Sequence, residues 1–219
     1  PIPALREMLA LRRVEHPNVV PLLSRYTHGA NIVLVFPFLP GSLAGLLAAQ
    51  SAPLPEPEAA ALAYELLAGL SACHADGIVH RDIKPANLLL CANGRLCIGD
   101  FGQSRLLPSD LDASLSHAVA TRWYRAPELL FGARRCAAAP TPSLYRAMRL
   151  SRAHAALHPQ PVPRYGPAVD LWAAGLVIAQ LFSVTPLIAG ATDVDQLYRV
   201  LALLGTPTED TWPGDAPPS

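Results

Sequence analysis

The 219 residues read as an α+β fold, with short strands gathered in the first hundred residues and longer helices filling most of the rest. Three observations carry that expectation. Apolar residues recur at helical spacing over 4–14, 59–72 and 193–204, and 168–182 is a nearly continuous apolar run of buried-helix length. Two apolar, β-branched stretches, 19–23 and 31–39, flank a polar turn at His28-Gly29-Ala30. Asn93-Gly94 separates Leu88-Leu89-Leu90 from Leu96-Cys97-Ile98, the strongest short-range signal for a hairpin.

In chain order, the first helix carries Leu5, Met8, Leu9 and Leu11 on one side and stops before His16-Pro17, because the residue ahead of a proline is pushed out of helical geometry. The strand at 19–23 and the strand at 31–39 follow, the second apolar enough to be buried on both faces. A short helix fits 43–49. A proline-rich turn at 53–57 then leads into the 59–72 helix, with Glu56 and Glu58 where a helix N-terminus favours carboxylates and with Leu62, Leu66, Leu67 and Leu70 on one face. In the hairpin, both Asn93 and Gly94 are expected at positive φ. From 102 to 125 the chain is polar and irregular, 127–131 suits a short helix, and 206–219 is a loose proline-rich tail.

The length suffices for one sizeable core, or one domain with part of another. Lys plus Arg and Asp plus Glu both number 17, a balance that points to neither nucleic acid nor an anionic membrane surface as partner. Cys73, Cys91, Cys97 and Cys136 show no CxxC spacing and no secretory leader opens the sequence, so reduced thiols in an intracellular protein are expected and zinc is not. Two uncharged runs, 26–55 and 171–192, resemble membrane spans. Proline and glycine break the first, Gln180 and Pro186 the second, and neither is a clean apolar stretch of about 20 residues.

The chemistry concentrates in His80-Arg81-Asp82-Ile83-Lys84-Pro85-Ala86-Asn87. Phosphoryl transfer asks a protein for a carboxylate to orient and deprotonate the attacking hydroxyl, a cation on the migrating phosphate, and oxygen ligands for magnesium. Asp82, Lys84 and Asn87 offer those groups in that order. His-Arg-Asp alone reads more simply as a surface loop with a salt bridge. The wider spacing favours chemistry: Asp100-Phe101-Gly102 begins thirteen residues after Asn87, and Ala126-Pro127-Glu128 follows.

Those three motifs resemble a protein kinase, and three further segments resemble the cyclin-dependent kinases, nearest the cell-cycle-related kinase branch. They are Pro3-Ala4-Leu5-Arg6-Glu7, like a cyclin-binding helix; Val119-Ala120-Thr121-Arg122-Trp123-Tyr124-Arg125-Ala126-Pro127-Glu128, like the end of an activation segment; and Leu203-Leu204-Gly205-Thr206-Pro207. The resemblance implies a kinase-like fold with a partial small lobe over 1–39 and a mostly helical large lobe over 40–219. It implies serine/threonine phosphorylation of protein substrates with ATP and Mg2+, a cyclin or cyclin-like activator, an upstream activating kinase, and residence in nucleus, cytoplasm or both. Asp82 would be the proton acceptor, Lys84 the cation on the moving phosphate, and Asn87 and Asp100 the metal ligands. Glu7, Phe36, Leu39 and Leu89 would belong to the nucleotide site, with 36–39 as hinge, Phe36 as gatekeeper and Leu89 under the base. Ser116 stands where the activating phosphorylation falls, five residues before Thr121, and Arg6, Arg81 and Arg105 match the arginines that gather that phosphate. A plainer reading makes Ser116 one serine in a serine-rich loop. Arg125 matches the residue linked to preference for proline after the target Ser or Thr, and Asp170 the aspartate that braces the catalytic loop.

The sequence also departs from the pattern. Pro37 replaces a family Glu, although the adenine contact there uses a carbonyl that proline keeps. Ser42 replaces a family Asp near the ribose. The family's glycine-rich loop and phosphate-binding lysine, partner to Glu7, are not in these residues, and Lys84 is the only lysine. The arginine that would pair with Glu128 is also missing, and this polypeptide alone is expected to bind ATP weakly. Residues 136–164 interrupt the family pattern between Arg135 and Tyr165, either as translated intron or as a genuine basic insert. A kinase-like binding module without catalysis is the alternative to an enzyme.

Overall fold

The computed structural model describes residues 2–106, 120–130 and 166–206. Ser116, the 136–164 insert and most of the C-terminal tail lie outside the described residues. Helix α1 (Ile2–Leu11) buries Ala10 and Leu11; it begins two residues before and ends three residues short of the 4–14 span that its apolar period suggested, with Val14 buried beyond its end. Strand β1 (Ser24–His28) pairs antiparallel with β2 (Asn31–Val35), in register from Ser24↔Val35 to His28↔Asn31. Gly29 turns the corner at φ 60°, a conformation an L side chain resists.

Two expectations fail in this region. The first strand is not at 19–23. Val19 and Val20 are 3% and 4% exposed and lie along the later strand at Ile98, whose N–H donates to Asn18 O (2.8 Å) and whose carbonyl accepts from Val20 N–H (2.9 Å). Core burial beside that strand draws the valines away from β2, so pairing begins only at Ser24. The second strand stops at Val35 and is half-buried, not enclosed on both faces, because β1, its only pairing strand among the described residues, is exposed throughout.

Strand β3 (Gly41–Ser42) leads directly into α2 (Leu43–Ala49), whose N-terminus is capped by Ser42 Oγ accepting from Gly45 N–H (3.2 Å). Helix α3 (Glu56–Ala75) starts earlier than its apolar period suggested. Pro55 and Pro57 suit a first turn that has no N–H partners to lose, and Glu56 and Glu58 face the positive end of the helix dipole. Its buried face is Ala59, Leu66, Gly69, Leu70 and Cys73, with Leu62 partly buried, whereas Leu67 is 43% exposed and does not share it. Gly69 lets the helix approach closely: a Cβ there would stand 2.8 Å from Asn18 O and 2.9 Å from Ile98 Cδ1.

After β4 (Ile78–Val79) and a 3₁₀ turn (Pro85–Asn87), β5 (Leu88–Leu90) pairs with both β3 and β6 (Leu96–Ile98), in the order β3-β5-β6. The hairpin is where the sequence put it, but only Gly94 has positive φ (82°). Gly94 N–H donates to Cys91 O and Cys91 N–H to Arg95 O, both at 2.9 Å, so the connection is a three-residue loop with glycine in its left-handed position and not the two-residue turn that needs both. The N–H of Leu96 is satisfied from outside the sheet by Glu65 Oε2 on α3 (2.8 Å). A second 3₁₀ turn (Phe101–Gln103) precedes β7 (Arg105–Leu106), which pairs with β4. Helix α4 (Pro127–Leu130), α5 (Ala168–Leu181) and α6 (Asp193–Leu204) complete the described elements. The core gathers Leu43, Leu66, Leu70, Ile83, Leu88, Ile98 and Phe101 against Ala174, Val177 and Leu181 of α5. No helix among the described residues is long and apolar enough to cross a membrane.

Candidate active site

The loop between β4 and the Pro85–Asn87 turn is fixed from below by one carboxylate. Asp170, in the first turn of α5 and 1% exposed, accepts from His80 N–H through Oδ2 (2.8 Å) and from Arg81 N–H through Oδ1 (2.7 Å); His74 Nε2 donates to Oδ2 (2.9 Å). These charge-assisted bonds hold Arg81 at φ 69°, where a non-glycine residue is strained. His80 is wholly buried and joins two segments: its Nδ1 accepts from Asp82 N–H (3.2 Å), its Nε2 donates to Gly99 O (2.9 Å), and its ring meets Phe101 edge-on at 4.8 Å. The imidazole is therefore the neutral form with its proton on Nε2.

Asp82, 1% exposed, is the centre of the polar network. Oδ2 accepts from Lys84 Nζ (2.8 Å), from Asn87 Nδ2 (3.1 Å) and, at 3.5 Å, from Gln103 Nε2. Oδ1 accepts from Thr121 N–H (3.1 Å) and Thr121 Oγ1 (3.3 Å). Asn87 Nδ2 also donates to Asp82 O (2.9 Å). With its amide donors committed to Asp82, Asn87 presents Oδ1, which accepts no hydrogen bond among the described residues. The β5–β6 hairpin brings Asp100 alongside, and Gly99 N–H donates to Asn87 O at 2.8 Å. Asp100 takes a left-handed conformation (φ 57°, ψ 72°), with Oδ1 accepting from Gly102 N–H at 3.4 Å. The four groups that the sequence singled out thus converge.

Above them is a cleft of about 350 Å³ lined by Glu7, Val20, Phe36, Pro37, Leu39, Leu89 and Asp100, among others. Its apolar walls suit a flat base, Asp100 lines it, and Asn87 is tied to the neighbouring Gly99, so the oxygens of Asp100 and Asn87 are hard donors of the kind that Mg2+ prefers. Glu7 lies in this cleft with its carboxyl raised above the ordinary range, chiefly by burial and further by the charge of Asp100, while a hydrogen bond from the Phe101 backbone acts the other way. Among the described residues Glu7 makes no ion pair. Ser42, expected near the ribose, is committed to the α2 cap.

Of the residues expected to gather a phosphate, Arg6 lies half-buried on α1, Arg105 is on β7, and Arg81 donates from Nε to Gln103 O (2.7 Å). Thr121, five residues past Ser116, instead donates to the Asp82 carboxylate. Beyond it, Ala120 has φ 67° and its carbonyl accepts from Arg125 Nη2 (3.1 Å). Arg125 Nη1 and Arg122 Nε both bind Asp193, at 3.0 and 2.8 Å, and hold its carboxyl below the usual range.

Sequence reasoning missed Gln196. It is 0% exposed on α6, accepts from Gly190 N–H through Oε1 (2.6 Å), and donates through Nε2 to Trp123 O and Ile188 O (3.2 Å each), which ties α6 to the 3₁₀ turn Arg122–Tyr124. The available signal was a polar side chain on the same inward face as Val200. Gln180 plays a comparable part, accepting from Tyr124 Oη at 2.7 Å.

Comparison with known proteins agrees with this geometry. The family model described as "Protein kinase domain" matches residues 2–142. Cyclin-dependent kinase 20 of Pongo abelii is 40% identical over 214 residues, 97% of this chain and 54% of the relative. Cyclin-dependent kinase 7 of Xenopus laevis is 38% identical over 96% of this chain and 51% of its own, and cyclin-dependent kinase D-1 of Arabidopsis thaliana 34% over 97% and 46%. The chain spans about half the length of these curated relatives.

Proposed function

Because the chain belongs to the protein kinase family, with cyclin-dependent kinases among its relatives, we propose that it is part of a serine/threonine kinase of that type, acting on protein substrates in cell-cycle control. The observation that carries the reading is the convergence of Lys84, Asn87 and Thr121 on the buried Asp82, with Asp100 delivered across the hairpin. Bound ATP with Mg2+ would supply the phosphoryl group. Asp82 would receive the proton of the acceptor hydroxyl. Lys84, 2.8 Å from that carboxylate, would meet the charge of the transferred group. Asn87 and Asp100 would hold the metal through oxygen, and Phe36, Leu39 and Leu89 would enclose the base.

Preference for proline after the target residue is supported by Ala120. Its carbonyl already accepts from Arg125, so a peptide N–H arriving there would find no free acceptor, whereas proline has no N–H to satisfy. A cyclin-like activator would cover α1, where Ile2, Leu5 and Leu9 are 60%, 40% and 46% exposed. An upstream kinase would act on Ser116, and Arg6, Arg81 and Arg105 would gather the phosphate. The division into small-lobe residues 1–39 and large-lobe residues 40–219, and residence in nucleus or cytoplasm, belong to the same reading.

The alternative reading is a kinase-like binding module without catalysis. Two measurements separate them. Titrating the 219-residue chain with ATP and Mg2+ should show weak binding, and micromolar metal-dependent affinity would overturn that expectation. A form extended upstream with a glycine-rich loop and a lysine-bearing strand should phosphorylate a Ser-Pro peptide, and Asp82→Asn in it should lower the rate by about 10²–10⁴-fold. An extended form that binds nucleotide yet transfers nothing would favour the module.

A further inference from the structure

The hairpin that joins Asn87 to Asp100 carries two thiols that none of the proposed chemistry uses. Cys91 closes the end of β5 and Cys97 lies in β6; both are free, and their Sγ atoms are 3.6 Å apart. They differ in setting. Cys97 is 2% exposed and its S–H reaches Pro17 O at 3.3 Å, while Cys91 is partly open to solvent with Arg95 Nη2 at 4.0 Å. Burial pushes the Cys97 thiol up to about 11.

We propose that Cys91 and Cys97 form a reversible dithiol–disulfide modification site, oxidised by a peroxide, that places a covalent pin across this hairpin. The division of roles follows from the setting. Cys91, the more accessible of the two, is the attacking thiol, since access decides which sulfur the peroxide meets. Its thiolate attacks one oxygen of hydrogen peroxide; the O–O bond breaks, the sulfur becomes a sulfenic acid, and the departing hydroxide takes a proton to leave as water. The adjacent Cys97 then gives up its S–H proton and its sulfur attacks the Cys91 sulfur; the S–O bond breaks, the departing hydroxide takes a proton and leaves as a second water, and the disulfide forms. Two thiols and one peroxide thus give one disulfide and two waters. The sulfurs must close from 3.6 Å to about 2.05 Å, which takes the Cys97 sulfur away from Pro17 O. A thiol reductant restores the pair.

Trypsin provides the test, because Arg81, Arg95 and Arg105 place Cys91 and Cys97 on separate, adjoining peptides, 82–95 and 96–105. After limited hydrogen peroxide, the non-reduced digest of the full chain should contain these two peptides linked, the intact chain should lose the mass of two hydrogens, and dithiothreitol should reverse both changes. Cys136→Ser and Cys73→Ser should leave the link, and Cys91→Ser should abolish it. A second measurement does not depend on Cys97 variants folding: native alkylation should label Cys91 before Cys97, and labelling at Cys91 should prevent the peroxide-induced link. Oxidation of Cys91 to sulfinic or sulfonic acid without the link, or pairing of either thiol with Cys136 instead, would overturn the proposal.

Discussion

Replacing Asp170 with Ala should unfold the candidate site from beneath without touching a group assigned to chemistry. The side chain satisfies two buried backbone donors, His80 N–H at 2.8 Å and Arg81 N–H at 2.7 Å. A buried donor left without a partner costs about 1–3 kcal/mol, so the pair contributes roughly 2–6 kcal/mol, a large part of the ~5–15 kcal/mol that stabilises a typical domain. His74 adds little to that sum, because its side chain is 15% exposed and water can replace the lost acceptor. Urea denaturation followed by tryptophan fluorescence measures the effect. At a slope of about 2 kcal/mol per molar, the midpoint should fall by roughly 1–3 M. Asp170→Asn keeps one acceptor oxygen and should lose about half as much. A midpoint shift for Asp170→Ala corresponding to less than about 0.5 kcal/mol would refute the reasoning, since it would mean that neither N–H depends on this carboxylate.

Gly69→Ala should gain up to about 1 kcal/mol in helix propensity and lose about 1–3 kcal/mol to the collision with Asn18 O and Ile98 Cδ1, so a lower melting temperature is expected and an unchanged one would argue against the close approach. Glu128 has its carboxyl raised by burial, so the folded state holds that proton more tightly than the unfolded chain, and its contribution to stability is fullest at low pH and lost as pH rises through the raised value. Glu128→Gln should therefore become progressively more stable than the parent as pH rises from 4.5, then level off; a constant difference across that range would contradict burial as the cause. In an active extended form, Arg125→Ala should release the Ala120 carbonyl and reduce the kcat/KM preference for Ser-Pro over Ser-Ala peptides by about tenfold or more, read from the two substrates side by side.

Sequence alone located most helices and the β5–β6 hairpin because those elements carry local signals: apolar period in α6, acidic and proline start residues in α3, and Asn93-Gly94 between two apolar triplets. It failed where the decision was tertiary. Val19 and Val20 look like strand residues and are buried as such, yet they lie along Ile98 and not against β2, and nothing within 19–23 announces that partner. Leu67 fits a leucine face until the direction of the core fixes Leu66 and Leu70 as its centre. At the candidate site, Asp82, Lys84 and Asn87 could be expected together because they lie within six residues, and Asp100 because the Asn93-Gly94 hairpin returns the chain to Asn87. Gln196 was not, because its partners at Gly190, Trp123 and Ile188 are backbone atoms, which leave no mark in sequence.

The hairpin between Asn87 and Asp100 also restricts which changes in chain length this region can accept. Side chains alternate between the two faces of a strand, so removing one residue from 92–94 and re-pairing the strands one step over would turn Ile98 away from the core and take Cys97 off the face where its sulfur meets Pro17 O. Asp100, two residues past β6, would move with them and leave the end of the cleft. A short surface loop, ordinarily the most permissive place for insertion or deletion, is here a ruler that sets the distance between Asn87 and Asp100.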